Sequence, residues 1–251
     1  MTEEEPMSSR KQPETIGGEV ARPLGTLPRR CLLFGVPLLV GIFSLIHPGS
    51  LTNPGHDDEE GIYAQLADQA DLFIAVHIVQ LVLFPLLALS VWVAIRELRG
   101  TAAQVARWAL LAFAVFYTAF DTLVGIGTGV LVREGRQLPA ADQDAAERLV
   151  NDYSESLIAG DANVFAYLGS AAWLIALVAA ALAWRRAGAG WLTTAALALS
   201  GVAFGFAHPA PYGTIGMALL LVAYWRLELK EPSRDDGARR ARLAPASGPG
   251  R

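Results

Sequence analysis

Four histidines are the residues whose type and spacing most directly permit chemistry in this chain. His47, His56 and His77 lie in one stretch that also holds six carboxylates and no Lys or Arg, and His208 lies far along the chain. Imidazole is the commonest metal ligand and titrates near neutrality, so histidines gathered on one face could bind copper, zinc, iron or heme. The metal interpretation combines His77 with His47 or His208.

Three of these histidines also have a simpler interpretation. His47 and His208 each precede a proline where an apolar run ends, and a polar residue there can cap the last helical carbonyls. His56 is followed by the acidic run Asp57–Glu60, which is typical of a solvated loop. Both interpretations stay open at this point.

His77 differs from the others because it lies inside an apolar run. Gln80 lies three residues further on, on the same helical face, and Phe73 and Phe84 flank that face. A polar pair in lipid must find partners, so this face is expected to point into a helix bundle. The pair either serves a function or forms an interhelical hydrogen bond that fixes packing.

Asp121 is the only carboxylate deep inside an apolar run. A charged residue there costs about 2.5–3.5 kcal/mol on insertion scales, so acids inside spans are functional candidates by default. Tyr117 lies one turn before it and Gly125 one turn after it. Asp121 could relay protons or bind a substrate, or it could be a structural lock that hydrogen-bonds a neighbouring helix.

Further polar side chains are expected near the outer ends of the spans. Together with the buried pair and the acid they could line a cavity open to the outside. The pocket candidates are His77, Gln80, Asp121, Asn163 and Tyr212, with Tyr167 as a further neighbour.

The composition is that of a membrane protein. The chain is 53% hydrophobic with a mean hydropathy of +0.36, and 18% of its residues are charged, against about 25% in soluble domains. Its one cysteine, Cys31, excludes an intramolecular disulfide and a cysteine-based metal cluster. No P-loop, HExxH, GxSxG or CxxC motif is present, and no basic patch with interleaved aromatics indicates nucleic-acid binding.

The apolar runs predict an all-α bundle of six membrane spans within residues 31–228. Disordered tails are expected at 1–30 and 229–251, and an amphipathic helix on the outer surface at about 140–158, where apolar residues recur every four positions. The predicted spans are Cys31–Ile46, Leu72–Ile95, Trp108–Val132, Asn163–Trp184, Trp191–Ala207 and Tyr212–Trp225.

Charge asymmetry predicts the orientation of these spans. With the N-terminus in the cytosol, seventeen of the twenty Lys and Arg residues fall in inner segments and thirteen of the twenty-four carboxylates fall outside. Both termini are therefore expected in the cytosol of a bacterial cell, with the spans in its cytoplasmic membrane. Trp108, Trp184, Trp191 and Trp225 fall at predicted inner edges, where the headgroup region favours tryptophan.

Three segments carry a resemblance to a known class of protein. They are AVHIVQLVLFPLLALSVW (75–92), FYTAFDTLVGIGTGVLV (116–132) and FAHPAPYGTIGMALL (206–220). Together they resemble bacterial six-span integral membrane proteins of no assigned function, over most of residues 30–228. The resemblance implies a helical bundle in the cell membrane, and it brings no activity, substrate or catalytic residue with it.

Three functions follow as hypotheses. The first is a non-enzymatic membrane protein with no cofactor, whose outward-facing polar pocket binds or moves a small solute. The second is a redox or metal-handling protein with a metal ion or heme on His77, His47 and His208. The third is a structural or regulatory partner of a membrane complex or of a second copy, associated through the GxxxG faces Gly125–Gly129 and Gly201–Gly205.

Overall fold

The computed structural model describes residues 26–48, 61–158 and 163–230. Within these ranges all regular secondary structure is helical, which confirms the predicted all-α class. The helices are α1 (Leu27–Ile46), α2 (Ile62–Leu66), α3 (Ala70–Ile95), α4 (Thr101–Gly135), α5 (Ala140–Ser154), α6 (Val164–Arg186), α7 (Trp191–Phe206) and α8 (Tyr212–Lys230). Most of both predicted tails lies outside the described residues, as do His56 and the acidic run Asp57–Glu60.

Four of these helices, α1, α3, α4 and α6, are long and apolar enough to cross a membrane. Helix α7 is apolar but has 16 residues, which rise about 24 Å against a hydrocarbon core of about 30 Å. Helix α8 has 19 residues, and Arg226 and Glu228 near its end lower its mean hydropathy. Four of the six predicted spans thus have the length and apolar character needed to cross a membrane, and the number of spans stays a prediction.

The six long helices form a closed ring. Helix α1 packs on α3, α3 on α4, α4 on α6, α6 on α7, α7 on α8, and α8 returns to α1. The largest fully buried side chains in the ring are Trp173, Tyr224, Phe84, Phe113 and Phe204. Because the aromatic rings of four helices meet there, the middle of the bundle is apolar and closely packed.

Glycines permit the close approach of neighbouring helices. A Cβ on Gly201 would lie 2.9 Å from Leu177 Cβ, and a Cβ on Gly129 would lie 2.6 Å from Ile74 Cγ1. Both predicted GxxxG pairs therefore contact helices of the same chain. Association with a partner through these faces stays a prediction.

Helix α4 departs from the predicted third span in two ways. It begins at Thr101 rather than Trp108, because the turn before it is closed by Gly100 at a φ of 97°. It also contains a π-helical segment at Asp121–Gly127. Helix α5 contacts this segment through Tyr153, whose hydroxyl donates to the Leu123 carbonyl at 3.1 Å. This bond gives a partner to a carbonyl within the π-helical segment.

Candidate metal centre

Three histidines meet at one end of the bundle. His47 follows α1, His77 lies two turns into α3, and His208 follows α7. His47 Nε2 is 3.3 Å from His77 Nε2 and 3.2 Å from His208 Nε2, and one ring nitrogen from each residue lies within 4.8 Å of the others. No more than 8% of any of the three residues is exposed.

The other ring nitrogen of each histidine has a fixed partner. His47 Nδ1 donates to the Pro48 carbonyl at 2.6 Å, and His77 Nδ1 donates to the Phe73 carbonyl at 2.7 Å. His208 Nδ1 lies 3.2 Å from the Tyr117 hydroxyl. Partners of this kind hold the rings of metal-binding histidines in place and set their tautomers. All three Nε2 atoms are left facing one another.

Three neutral histidines do not carry enough N–H protons to give every short contact between their rings a hydrogen bond. A carbonyl oxygen only accepts, so neutral His47 and His77 carry their protons on Nδ1, and both Nε2 atoms present lone pairs. His208 has at most one Nε2 proton, which can reach His47 but leaves the His47–His77 contact without a hydrogen. A cation between the rings, either a proton or a metal ion, removes this conflict.

The distances from His47 Nε2 to the Nε2 atoms of His77 and His208 fit a four-coordinate ion. Nitrogens bound at about 2.0–2.1 Å to a tetrahedral ion are about 3.3–3.4 Å apart. The two separations from His47 Nε2, 3.3 Å and 3.2 Å, match this spacing. The third separation, between His77 and His208, is within 4.8 Å and would have to shorten to about 3.4 Å in a three-nitrogen set with one position open.

Two glycines allow the histidines to reach this arrangement. A Cβ on Gly125 would overlap the His77 ring, and a Cβ on Gly213 would overlap the His208 carbonyl. The turn that carries His208 is also tied to α1, because the Ala210 amide donates to the Ser44 carbonyl at 3.0 Å. The last turn of α1, the π-helical part of α4 and the start of α8 thus jointly set the positions of the rings.

Aromatic side chains surround the cluster. The Phe73 ring lies 4.3 Å from that of His77, and the rings of Phe120 and Phe84 lie 5.8 Å and 6.1 Å from that of His208. These are centroid distances of ordinary aromatic packing. The aromatic rings therefore pack directly against the imidazoles of His77 and His208.

Gln80 and Asp121 are both fully buried, and no polar atom of either side chain has a hydrogen-bond partner among the described residues. Asp121 begins the π-helical segment that packs on α3. Two buried polar side chains without a described partner therefore lie on α3 and α4, the helices that carry His77 and Tyr117.

The remaining pocket candidates have other surroundings. The Asn163 side chain accepts from the Ala166 amide at 2.7 Å and caps the start of α6. Tyr212 is 43% exposed and packs on Phe206, with 4.7 Å between ring centroids. Tyr167 is exposed on α6. The structure brings His47, His77 and His208 together, and it places Tyr212 and Tyr167 on the surface.

Tyr117 belongs to this centre through its contact with His208, and the sequence did not indicate that contact. Its position one turn before Asp121 was visible, but its contact with His208 joins α4 to a turn 91 positions away. A buried tyrosine needs a partner for its hydroxyl, and this requirement was the only available signal.

Comparisons with protein-family models, curated proteins and solved structures find no match for this chain. The resemblance to bacterial six-span proteins therefore stays a prediction. The function of the site is therefore inferred from the geometry of its imidazoles, their hydrogen-bond partners and the aromatic shell.

Proposed function

We propose that this chain is an integral membrane protein that binds a first-row transition-metal ion on His47, His77 and His208. The observation that carries the proposal is the meeting of three Nε2 atoms whose rings are oriented by Pro48, Phe73 and Tyr117. The metal is then the small solute expected from the sequence, and the second sequence hypothesis becomes the leading one.

The ligand set favours particular ions. Three neutral imidazoles suit zinc, copper, iron or nickel, whereas calcium and magnesium require oxygen ligands. Three protein nitrogens with one open position are typical of zinc sites that keep a water or substrate as fourth ligand. The short contacts between the imidazoles and the aromatic shell favour a bare ion over a heme.

Binding fits the centre better than passage of an ion through the bundle. On the inner side of His208, the rings of Phe84, Tyr117 and Phe204 pack on one another at centroid distances of 4.9–5.8 Å. Phe113 and Trp173 continue this apolar layer. The only polar groups of these five rings are the Tyr117 hydroxyl and the Trp173 N–H, which do not replace three imidazole ligands, so onward movement of the ion through the layer is costly.

The proposal includes six spans with both termini in the cytosol and the metal centre near the outer surface of a bacterial cytoplasmic membrane. Its support is the closed ring of six helices and the outward-facing apolar residues on the two shorter ones, such as Val202 and Val222. Trp108, Trp191 and Trp225 are exposed near the expected inner edge. The distribution of Lys and Arg supports the same orientation.

Metal titration of the purified protein tests this function. Chelator-treated protein in lipid nanodiscs is expected to bind one zinc or cobalt ion, and His47→Ala, His77→Ala and His208→Ala should each weaken binding at least tenfold. Tyr224→Phe is the control, because it removes a buried hydroxyl that contacts Ser90 Oγ and not the histidines, and it should leave the affinity unchanged. Wild-type protein that binds none of zinc, cobalt, copper, iron or nickel would overturn the proposal, as would three alanine variants that bind like wild type.

A further inference from the structure

Asp121 and Gln80 form a second polar site whose place in the bundle follows from the packing of α3 on α4. Gly129 contacts Phe73 and Ile74, and Gly125 contacts His77. In the other direction along both helices, the Phe84 ring packs on the Tyr117 ring at 4.9 Å.

These contacts fix the register of the two antiparallel helices. Each step of about one turn along α3 is matched by a step of about one turn back along α4. Gln80 on α3 lies between His77 and Phe84, and Asp121 on α4 lies between Gly125 and Tyr117. These two residues are therefore opposite each other in the register. The acid and the amide therefore lie at the same depth, about 6 Å of helix rise from the level of the His77 ring.

Asp121 has no lysine or arginine partner among the residues that the structure describes. Within the described ranges, no lysine or arginine is buried. The titratable groups with contacts to this segment are His77 on α3, whose ring lies against Gly125, and Tyr153 on α5, which is bonded to the Leu123 carbonyl. Tyr117 lies one turn before Asp121 on α4 itself. A carboxylate with no cation and no donor is costly in such surroundings, whereas the protonated acid carries no net charge.

We propose that Asp121 and Gln80 form a proton-binding site that releases its proton when a metal ion occupies the three-histidine centre. This inference rests on the proposed function. A divalent ion on neutral imidazoles brings two positive charges into a low-dielectric interior, and a carboxylate at Asp121 offsets one of them. The Gln80 amide, at the same depth on the neighbouring helix, can donate to that carboxylate directly or through a water.

The step balances in charge and in atoms. The metal ion gains three Nε2 ligands, the O–H bond of the Asp121 carboxylic acid breaks, the electron pair stays on the carboxylate, and the proton leaves to solvent. The bundle gains one positive charge for each divalent ion bound, rather than two.

Proton release measured during zinc binding tests the coupling. Chelator-treated full-length protein in nanodiscs is titrated with zinc chloride in weak buffer with a pH indicator, and bound zinc is measured in the same samples. Wild type is expected to release one proton more per bound zinc than Asp121→Asn. The slope of log Kd against pH should be shallower by one in Asp121→Asn. The exposed Asp68 provides the control, because Asp68→Asn should release as many protons as wild type.

The outcomes separate the two proposals. If wild type and Asp121→Asn bind zinc and release equal numbers of protons, the coupling is wrong and the metal centre stands. If wild type binds neither zinc nor any of cobalt, copper, iron and nickel, both are wrong. Infrared difference spectra, which need only wild-type protein, test the coupling even if Asp121→Asn does not fold. Zinc should remove a carbonyl band of a protonated carboxylic acid, and an unchanged band would overturn the coupling.

Discussion

His47 Nε2 lies 3.3 Å from His77 Nε2, although the other nitrogen of each ring already donates to a backbone carbonyl. The two rings come from different helices, at the end of α1 and two turns into α3. Their lone pairs face one another in a site closed by aromatic side chains, and His208 adds a third nitrogen 3.2 Å from the first. A cation is the simplest way to stabilise this contact, and a transition-metal ion uses all three nitrogens.

Gly125→Ala is expected to abolish tight metal binding while leaving the helices formed. The added Cβ would overlap the His77 ring, so that ring has to move out of the cluster. We expect zinc affinity to fall at least tenfold, measured by competition with a chelator. Gly35→Ala is the control, because a Cβ there meets nothing within 4 Å although it also lies in a π-helical segment of a long helix. Equal zinc affinity in the two variants would contradict the assigned position of His77.

Tyr117→Phe removes the hydroxyl that lies 3.2 Å from His208 Nδ1. Loss of such an outer partner typically weakens metal binding by about 10- to 100-fold, and we expect a loss in that range. Tyr224→Phe is the matched control, since it removes a buried hydroxyl that contacts Ser90 Oγ at 3.0 Å far from the histidines. That change should lower the free energy of unfolding by about 0.5–1.5 kcal/mol without changing the zinc affinity. A Tyr117→Phe protein with wild-type affinity would mean that His208 needs no such partner.

Metal binding should stabilise the folded protein and depend on pH. Zinc at a hundred times its Kd adds about 2.7 kcal/mol to the free energy of unfolding, seen as a higher Tm in detergent. Because only unprotonated nitrogens bind the ion and burial lowers the pKa of the His47 imidazole to about 4, protonation of this ligand should weaken zinc binding as the pH falls toward about 4. Chelator should reverse the gain in Tm, and His77→Ala should show no gain. A Tm that responds equally to zinc in wild type and His77→Ala would point to binding elsewhere.

The six-span orientation predicts opposite labelling of two exposed positions. In a Cys31→Ala background, Asp144→Cys on α5 should react with a membrane-impermeant maleimide in intact cells. Ala187→Cys, in the turn between α6 and α7, should react only after permeabilisation. Both residues are exposed in the structure, so access to the reagent and not burial decides the result. The reverse pattern would invert the topology and move the metal centre to the cytosolic side.

Local patterns in the sequence predicted the helices well and the centre only in part. Long apolar runs interrupted by charged segments have few alternatives to helices, and α3 and α6 begin and end within about two residues of the predicted boundaries. The depth of His77, Gln80 and Asp121 could also be estimated, because depth depends on distance along a helix. The structure buries all three side chains, and their depth in a membrane stays a prediction.

The rotation and neighbours of each helix could not be predicted in the same way. The meeting of His47, His77 and His208 depends on the order of helices in the ring, which no local pattern encodes. The π-helical segment Asp121–Gly127 changes which side chains face α3, and its sequence contains no proline that would announce it. Tyr212 illustrates the same limit, since its expected depth gave no indication that it packs on Phe206 at the surface.

X-ray absorption spectroscopy of the zinc-loaded protein tests the central claim most directly, because it identifies the atoms bound to the ion. The account predicts three imidazole nitrogens at about 2.0–2.1 Å with one further light atom, and loss of one imidazole in any sample of His77→Ala that still retains zinc. A first shell that contains sulfur from Cys31, or fewer than three imidazoles in wild type, would contradict it.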